Sequence, residues 1–143
     1  MERTISGMVG KGSVNHNTRA FSAKNVDKER SRDNVEFCHE DIKAVYHELF
    51  DEALERYNAK QIRSDRKIKD YYEKIRSSKQ EKPFHEIILQ VGGKGNMNAD
   101  TENGELAKQI LDEYYQGFQE RNPQLRVFSA HLHMDESTPH LHI

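Results

Sequence analysis

The stretch LRVFSAHLHMDESTPHLHI, residues 125–143, decides the fold that the sequence predicts. Apolar residues alternate with histidines on both sides of a short segment, residues 135–139, that is rich in turn-forming residues. Because side chains alternate between the two faces of a strand, each strand would place its histidines on one face and its leucines on the other. We therefore predict an antiparallel hairpin whose two strands share one histidine face: His131, His133, His140 and His142.

The shared face would bring several imidazoles within reach of one cation. Cross-strand neighbours lie about 4.5–5.5 Å apart at Cβ. Three imidazole nitrogens with open coordination positions are typical of a catalytic metal centre rather than a structural one. His133, His140 and His142 suffice for such a centre, so His131 is the histidine that we would most readily leave outside it.

Two acidic residues, Asp135 and Glu136, lie in the predicted turn. Their position leaves three roles open: metal ligand, support for a histidine ligand, or exposed turn residue. The metal is open as well. Imidazoles suit zinc and other late transition metals, whereas carboxylate and phosphate oxygens suit manganese or magnesium.

The rest of the chain mixes strands and helices. Apolar spacing of three and four residues predicts the helices, and short runs rich in branched apolar residues predict the strands. An arrangement of this kind predicts an α+β fold, a two-layer sandwich with an antiparallel sheet and helices packed on one face. The predicted strands are 2–9, 34–38 and 84–93, the predicted helices are 42–57, 64–78 and 104–121, and a turn-rich segment follows Gly92.

Composition limits the class of protein. Hydrophobic residues make up 34% of 143 residues, so we expect a single domain, residues 1–143, with a modest core. The sequence has no apolar run of about 18 residues, so we expect no membrane partner. Cys38 is the one cysteine, which excludes an internal disulfide and fits a cytoplasmic location.

The charge distribution favours a nucleic-acid partner more than the total does. The net charge is −2, but residues 1–34 hold seven basic and four acidic side chains, and residues 56–82 hold ten and four. Local patches set the field that a phosphate backbone experiences. A solvated helix face explains the same pattern equally well.

Two motifs resemble those of a known family. HMDESTPHLH, residues 133–142, fits at every fixed position the pattern HxDESTPHxH, and NHNTRAF, residues 15–21, is similar to an N-terminal histidine motif. Both resemble motifs of the Pre/Mob (MobV-type) plasmid mobilisation and recombination relaxases. These belong to the HUH endonucleases, named for the histidine–hydrophobic–histidine motif. The resemblance implies a relaxase that nicks one DNA strand at a plasmid transfer origin and stays joined to the 5′ phosphate.

The resemblance also implies roles for individual residues. His133, His140 and His142 correspond to the metal ligands, and Glu136 acts in catalysis as a ligand or as a support for the site. His16 corresponds to the nucleophile. A neutral imidazole is a good nucleophile at physiological pH, and a cation bound to the phosphate reduces the charge that opposes its attack.

The expected partner is single-stranded or supercoiled plasmid DNA at an origin of transfer. Lys11, Asn17 and Arg19 are the residues that we expect to contact this DNA. The resemblance favours Mn²⁺ or Mg²⁺ as the metal, with Zn²⁺ as an alternative. Members of the family are longer than this chain, so we expect an amino-terminal fragment truncated at its C-terminal end.

Three alternatives stay open. Tyrosine pairs at 71–72 and 114–115 are rival nucleophiles, although their helical spacing favours core packing. The chain would otherwise be a DNA-binding module with a structural metal, or a metal-dependent phosphoesterase. Loss of DNA cleavage in a His16→Ala variant would separate these alternatives from a histidine relaxase.

Overall fold

The computed structural model describes residues 4–93 and 95–143. The chain divides into two compact units, Met1–His39 with Glu86–Ile143, and Glu40–His85. That it forms a single domain stays a prediction.

The first unit contains a five-stranded sheet in the order β1-β3-β5-β4-β2, and every neighbouring pair is antiparallel. The α+β prediction is therefore confirmed. Of the predicted first strand, residues 2 and 3 lie outside the described residues. The last strand along the chain, β5, lies at the centre of the sheet, between β3 and β4. The strands are β1 (Ile5–Val9), β2 (Val35–His39), β3 (Ile87–Val91), β4 (Ser129–His133) and β5 (His140–His142).

One face of the sheet forms the hydrophobic core with a helix, α4 (Glu102–Gln116). Leucines of the three central strands pack against Ala107 and Leu111 of this helix, each side chain contributing about 2 kcal/mol on full burial. Gly117 separates α4 from the short α5 (Phe118–Arg121), so the predicted helix over 104–121 consists of two pieces. The core leucines are Leu89, Leu132 and Leu141. In the predicted turn after Gly92, residue 94 lies outside the described residues.

The opposite face of the sheet carries the histidines and a single helical turn, α1 (Val14–Asn17). Ser13 caps this turn by accepting a hydrogen bond from the His16 amide at 3.3 Å. The chain then reverses through Arg19, whose φ of 59° lies in the left-handed region. That conformation costs about 1–2 kcal/mol for a residue other than glycine, so the contacts of the Arg19 side chain must offset it.

The second unit contains α2 (Ile42–Ala59) and α3 (Tyr71–Arg76). The predicted helix over 64–78 is an α-helix only over Tyr71–Arg76, and a 3-10 turn, Ser64–Arg66, precedes it. The segment between them is a loop, in which the Asn58 side chain binds both backbone groups of Ile68, at 2.9 Å and 2.8 Å. Asp70 then caps α3. Within the described part of the chain, no helix is long and apolar enough to span a membrane.

Candidate metal centre

The hairpin register confirms the predicted histidine face. His131 pairs with His142 and His133 with His140 across β4 and β5. The rings of His133 and His142 lie on a diagonal of this pairing, with their centroids 4.6 Å apart. The centroids of His140 and His142 are 6.4 Å apart. Four imidazoles thus lie on one small area of the sheet.

His133 is the most deeply buried of these histidines, with 1% of its surface exposed. Burial disfavours the charged imidazolium and lowers the pKa of His133 to about 3. Its Nε2 lies 2.7 Å from the carbonyl oxygen of Asn17. Because a carbonyl can only accept, Nε2 carries the hydrogen and Nδ1 keeps its lone pair. A neutral ring whose other nitrogen donates to a carbonyl is the usual state of a metal-binding histidine.

The donor atoms on this face fit a metal. The Nδ1 atoms of His133, His140 and His142 are buried and have no hydrogen-bond partner among the residues that the structure describes. A buried polar atom without a partner is costly, which makes each of these atoms available to a cation. The three do not form one group within 4.8 Å, so the rings must turn before a single cation contacts all of them. Burial also lowers the pKa of His140, which favours its neutral form.

Glu136 lies between the predicted nucleophile and the histidines of the hairpin. Its Oε1 is 3.5 Å from Nε2 of His16, and its Oε2 is 3.9 Å from Nδ1 of His140. Ligand atoms of His16, His133 and Glu136 lie within 4.8 Å of one another. His140 and His142 lie outside that tight group, and the ring centroid of His142 is 6.2 Å from that of His16.

Arg19 holds His16 and Glu136 together. Its Nε and Nη2 donate to the two oxygens of Asp135 at 2.9 Å and 2.6 Å. Nη2 also donates to Glu136 at 3.0 Å, and Nη1 donates to the carbonyl oxygen of His16 at 2.8 Å. These donors face acceptors of the protein, so a contact between Arg19 and DNA phosphate stays a prediction.

Asp135 is fully buried and anchors the turn of the hairpin. It accepts hydrogen bonds from Ser31 at 2.7 Å and from Asn34 at 2.8 Å, in addition to those from Arg19. Burial opposes the charged carboxylate, but these hydrogen bonds outweigh it and lower the pKa of Asp135. This burial excludes the exposed turn residue among the roles left open by the sequence, and the contacts give Asp135 a role that the sequence did not suggest, support of the turn.

Sequence analysis missed Ser31 and Asn34. Asn34 also accepts a hydrogen bond from the Met134 amide at 2.6 Å, so it binds the hairpin through both ends of its side-chain amide. The segment before β2 looks like an irregular polar loop. The role of its polar residues is to bind the hairpin turn, which is about 100 positions away in the chain.

Glu86 is a second residue that sequence analysis missed. Its side chain is buried and accepts a hydrogen bond at 2.5 Å from the side-chain amide of Asn17. It also lies 3.7 Å from Nδ1 of His142. Burial opposes ionisation, but the contacts with His142 and Asn17 outweigh it and lower the pKa of Glu86. The available signal was one carboxylate within the apolar segment FHEIILQVGG. Asn17 is itself buried and occupied by these contacts, so its contact with DNA stays a prediction.

A cavity of about 770 Å³ opens beside this centre. That volume is typical of sites that take a small organic ligand. Lys11 lines it, as expected of a residue that contacts DNA, and so does Phe21, which is half exposed with its ring centroid 5.8 Å from that of His16. Four residues of the centre also line it: His16, Glu136, His140 and His142.

The two tyrosine pairs belong to two different clusters of packed side chains. Tyr114 and Tyr115 lie on α4 and contact the hydrophobic core, on the face of the sheet opposite the histidines. The rings of Phe37 and Tyr115 are stacked with centroids 4.4 Å apart. Tyr71 and Tyr72 belong to an aromatic cluster within the second unit. Core packing therefore accounts for Tyr114 and Tyr115.

Comparison with known proteins adds a family. A family model described as plasmid recombination enzyme (Mob_Pre) matches residues 11–143. No curated protein sequence matches the chain.

Two similar solved structures are Mn-bound crystal structures of the MobM relaxase domain (MOBV; Mob_Pre) with plasmid pMV158 oriT DNA. One, with 22-nucleotide DNA at pH 5.5, has a TM-score of 0.57 and 24% identity over 96% of this chain and 67% of that chain. The other, with a 3′-thiophosphate at pH 6.8, has a TM-score of 0.54 and 21% identity with the same coverage. At this identity the likeness shows a common fold.

Proposed function

This chain belongs to the Mob_Pre family of plasmid recombination enzymes, and on that premise we propose that it is the catalytic part of a histidine relaxase. The relaxase nicks one strand of plasmid DNA at an origin of transfer and keeps the 5′ phosphate on His16. The observation that carries this proposal is the position of His16, whose Nε2 lies 3.5 Å from Glu136 beside the buried histidines of the hairpin. The Mn-bound, oriT-bound MobM domain supports it.

His16 supplies the nucleophile. Nε2 of His16 lies 3.3 Å from Nη1 of Arg19, which can only donate, and 3.5 Å from Oε1 of Glu136, which can only accept when ionised. The reaction requires the tautomer that accepts from Arg19 and has its lone pair on Nε2. The lone pair attacks phosphorus and forms an N–P bond. The P–O3′ bond breaks, the 3′ oxygen leaves with the electron pair and takes a proton, and the imidazole loses its Nδ1 proton to water. The product is a phosphoramidate that the 3′ hydroxyl can reverse.

Glu136 and Arg19 position the nucleophile. Glu136 contacts both His16 and His140, and the guanidinium of Arg19 binds the His16 backbone. Since Asp135 fixes the same guanidinium, the α1 turn cannot shift relative to the hairpin without breaking charged hydrogen bonds. Holding reacting groups in place in this way lowers the entropic part of the barrier.

His133, His140 and His142 would hold a divalent metal, with Glu136 as a further ligand or as a support. When bound, the cation would neutralise charge on the nonbridging phosphate oxygens. Carboxylate and phosphate oxygens favour Mn²⁺ or Mg²⁺ here, while the imidazoles also accept Zn²⁺.

The cavity would take the DNA strand at the scissile phosphate. Lys11 would bind a phosphate, and the exposed ring of Phe21 would stack on a base. The basic block over 56–82 would add contacts with flanking DNA. Plasmid DNA as the substrate implies a cytoplasmic location, and we take residues 1–143 as one relaxase domain.

A nicking assay tests the proposal. Supercoiled plasmid that carries the DNA flanking this gene is incubated with the chain and Mn²⁺, and a plasmid without that DNA serves as the control. We expect open circles from the first plasmid only, and none with His16→Ala or with EDTA. Nicking that survives His16→Ala would contradict the proposal. Release of phosphate from a small ester, unaffected by His16→Ala, would indicate a phosphoesterase instead.

A further inference from the structure

A second group of metal-binding side chains lies beside the first centre. Glu36 and His39 of β2 and His131 of β4 offer ligand atoms within 4.8 Å of one another. Nε2 of His131 is 3.6 Å from Oε1 of Glu36, and the ring centroids of His39 and His131 are 5.9 Å apart. This group shares no residue with the proposed catalytic site, and it includes the one hairpin histidine that the catalytic site does not use.

An irregularity in β2 creates the group. Glu36 and His39 are three residues apart, so in a regular strand they would face opposite sides of the sheet. The pairing with β4 shifts between Glu36 and Cys38, so that Glu36 lies opposite His131 and His39 lies opposite Ser129. Residues opposite each other in the pairing share a face, and both side chains therefore point to the side of His131. Bulges often redirect a side chain in this way.

His131 has an unused donor atom that points into the group. It is 5% exposed, and its Nε2 is buried with no hydrogen-bond partner in the described parts of the chain. Its Nδ1 lies 3.3 Å from the hydroxyl oxygen of Ser129. If Nδ1 donates to that hydroxyl, Nε2 keeps its lone pair for a cation, as in most metal-binding histidines.

We propose that Glu36, His39 and His131 form a second metal site that binds Zn²⁺ or a similar late transition metal. Two imidazoles and one carboxylate are a common protein ligand set for zinc, and three protein ligands leave a coordination position for water. Zinc needs ligand atoms at about 2.0–2.2 Å. Glu36 and His39 are both exposed, so their side chains can rotate to close on the ion while His131 stays fixed.

The second site would link an edge strand to the catalytic hairpin. β2 forms one edge of the sheet and pairs only with β4 among the described strands. A metal bound by both strands would stabilise the folded chain according to its affinity. It would also hold His131 next to its pairing partner His142, at the border of the catalytic centre.

Counting bound zinc tests this inference. The full chain is dialysed against buffered Zn²⁺, and metal per chain is measured for the wild type and for His39→Asn, Glu36→Gln, His140→Asn and the control His85→Asn. His85 is exposed and belongs to neither group. Circular dichroism verifies that each variant folds.

We expect His39→Asn and Glu36→Gln each to bind one zinc fewer than the wild type, and His85→Asn to bind the same number. His140→Asn should retain the zinc that His39→Asn loses. Equal zinc content in His39→Asn, Glu36→Gln and the wild type would overturn the inference. Since His39 and Glu36 lie outside the proposed catalytic site, the test of the second site stays valid even if the catalytic centre does not bind zinc or the chain does not cleave DNA.

Discussion

Arg19 and Asp135 are 116 residues apart in the sequence and form a bidentate ion pair, with N–O distances of 2.9 Å and 2.6 Å. The pair ties the end of α1 to the turn of the histidine hairpin. The same guanidinium binds the carbonyl of His16. The position of the predicted nucleophile relative to the hairpin therefore depends on this pair.

Replacing Arg19 by lysine should damage the site although the charge is kept. An ammonium cannot reproduce the planar fork that binds Asp135 and His16 together. The buried carboxylate of Asp135 would therefore lose part of the hydrogen bonding that stabilises its charge. We expect the free energy of unfolding to fall by about 2 kcal/mol and nicking to fall at least tenfold, measured by urea unfolding and plasmid relaxation. Arg56→Lys, in an exposed pair with Glu52, is the control. Equal effects of the two substitutions would contradict this role.

Removal of one hairpin histidine should weaken metal binding. We expect His140→Ala to lower the affinity for Mn²⁺ more than tenfold, since even supporting residues of metal sites contribute that much. His47→Ala removes an exposed histidine of the second unit and should leave the affinity unchanged. Titration calorimetry with Mn²⁺ compares them. Unchanged affinity in His140→Ala would remove this residue from the ligand set.

The metal-free protein should lose stability as the pH falls below neutrality. The pKa of His133 drops from 6.5 to about 3 on folding, so between these values the unfolded chain binds a proton that the folded chain does not. The contribution of neutral His133 to the free energy of unfolding is therefore fully present above pH 6.5 and is lost as the pH falls towards 3. At pH 5 the loss from this residue is about 2 kcal/mol. Urea unfolding in EDTA at pH 8 and pH 5 measures it. Equal stability at both values would show that His133 is not buried in its neutral form.

Phe21 should contribute to binding of single-stranded DNA. Its ring is exposed in the cavity beside His16, and stacking on an aromatic ring contributes about 1–3 kcal/mol per base. We expect Phe21→Leu to weaken binding of an origin oligonucleotide about tenfold, measured by fluorescence anisotropy. Leu106→Ala removes a comparably exposed apolar side chain from α4 and should have no effect. An unchanged affinity in Phe21→Leu would exclude stacking.

The hairpin could be predicted from sequence because its information is local. Alternation places His131 and His133 on one face, and the turn residues fix where the chain reverses. The same reasoning could not place β5 at the centre of the sheet, since that depends on pairing with β3, which is about 50 positions earlier. The loop before α3 could not be predicted either, because it depends on a hydrogen bond from Ile68 to the side chain of Asn58, which lies ten positions earlier.

The supporting residues of the site were hidden for a similar reason. No distinctive spacing in the sequence marks Ser31, Asn34 or Glu86. The role of each residue depends on a contact with a distant part of the chain. The internal role of Arg19 could not be predicted either. An arginine near a nucleophile suggests phosphate binding, and the sequence cannot show that its donors also face the carboxylates of Asp135 and Glu136.

The most direct test of the account is the identity of the residue that becomes joined to DNA. An origin oligonucleotide is incubated with the chain and Mn²⁺, the covalent product is digested, and the modified peptide is identified by mass spectrometry. We expect an acid-labile phosphoramidate on His16, absent in His16→Ala and unaffected in Tyr114→Phe and Tyr115→Phe. An acid-stable adduct on a tyrosine would contradict it.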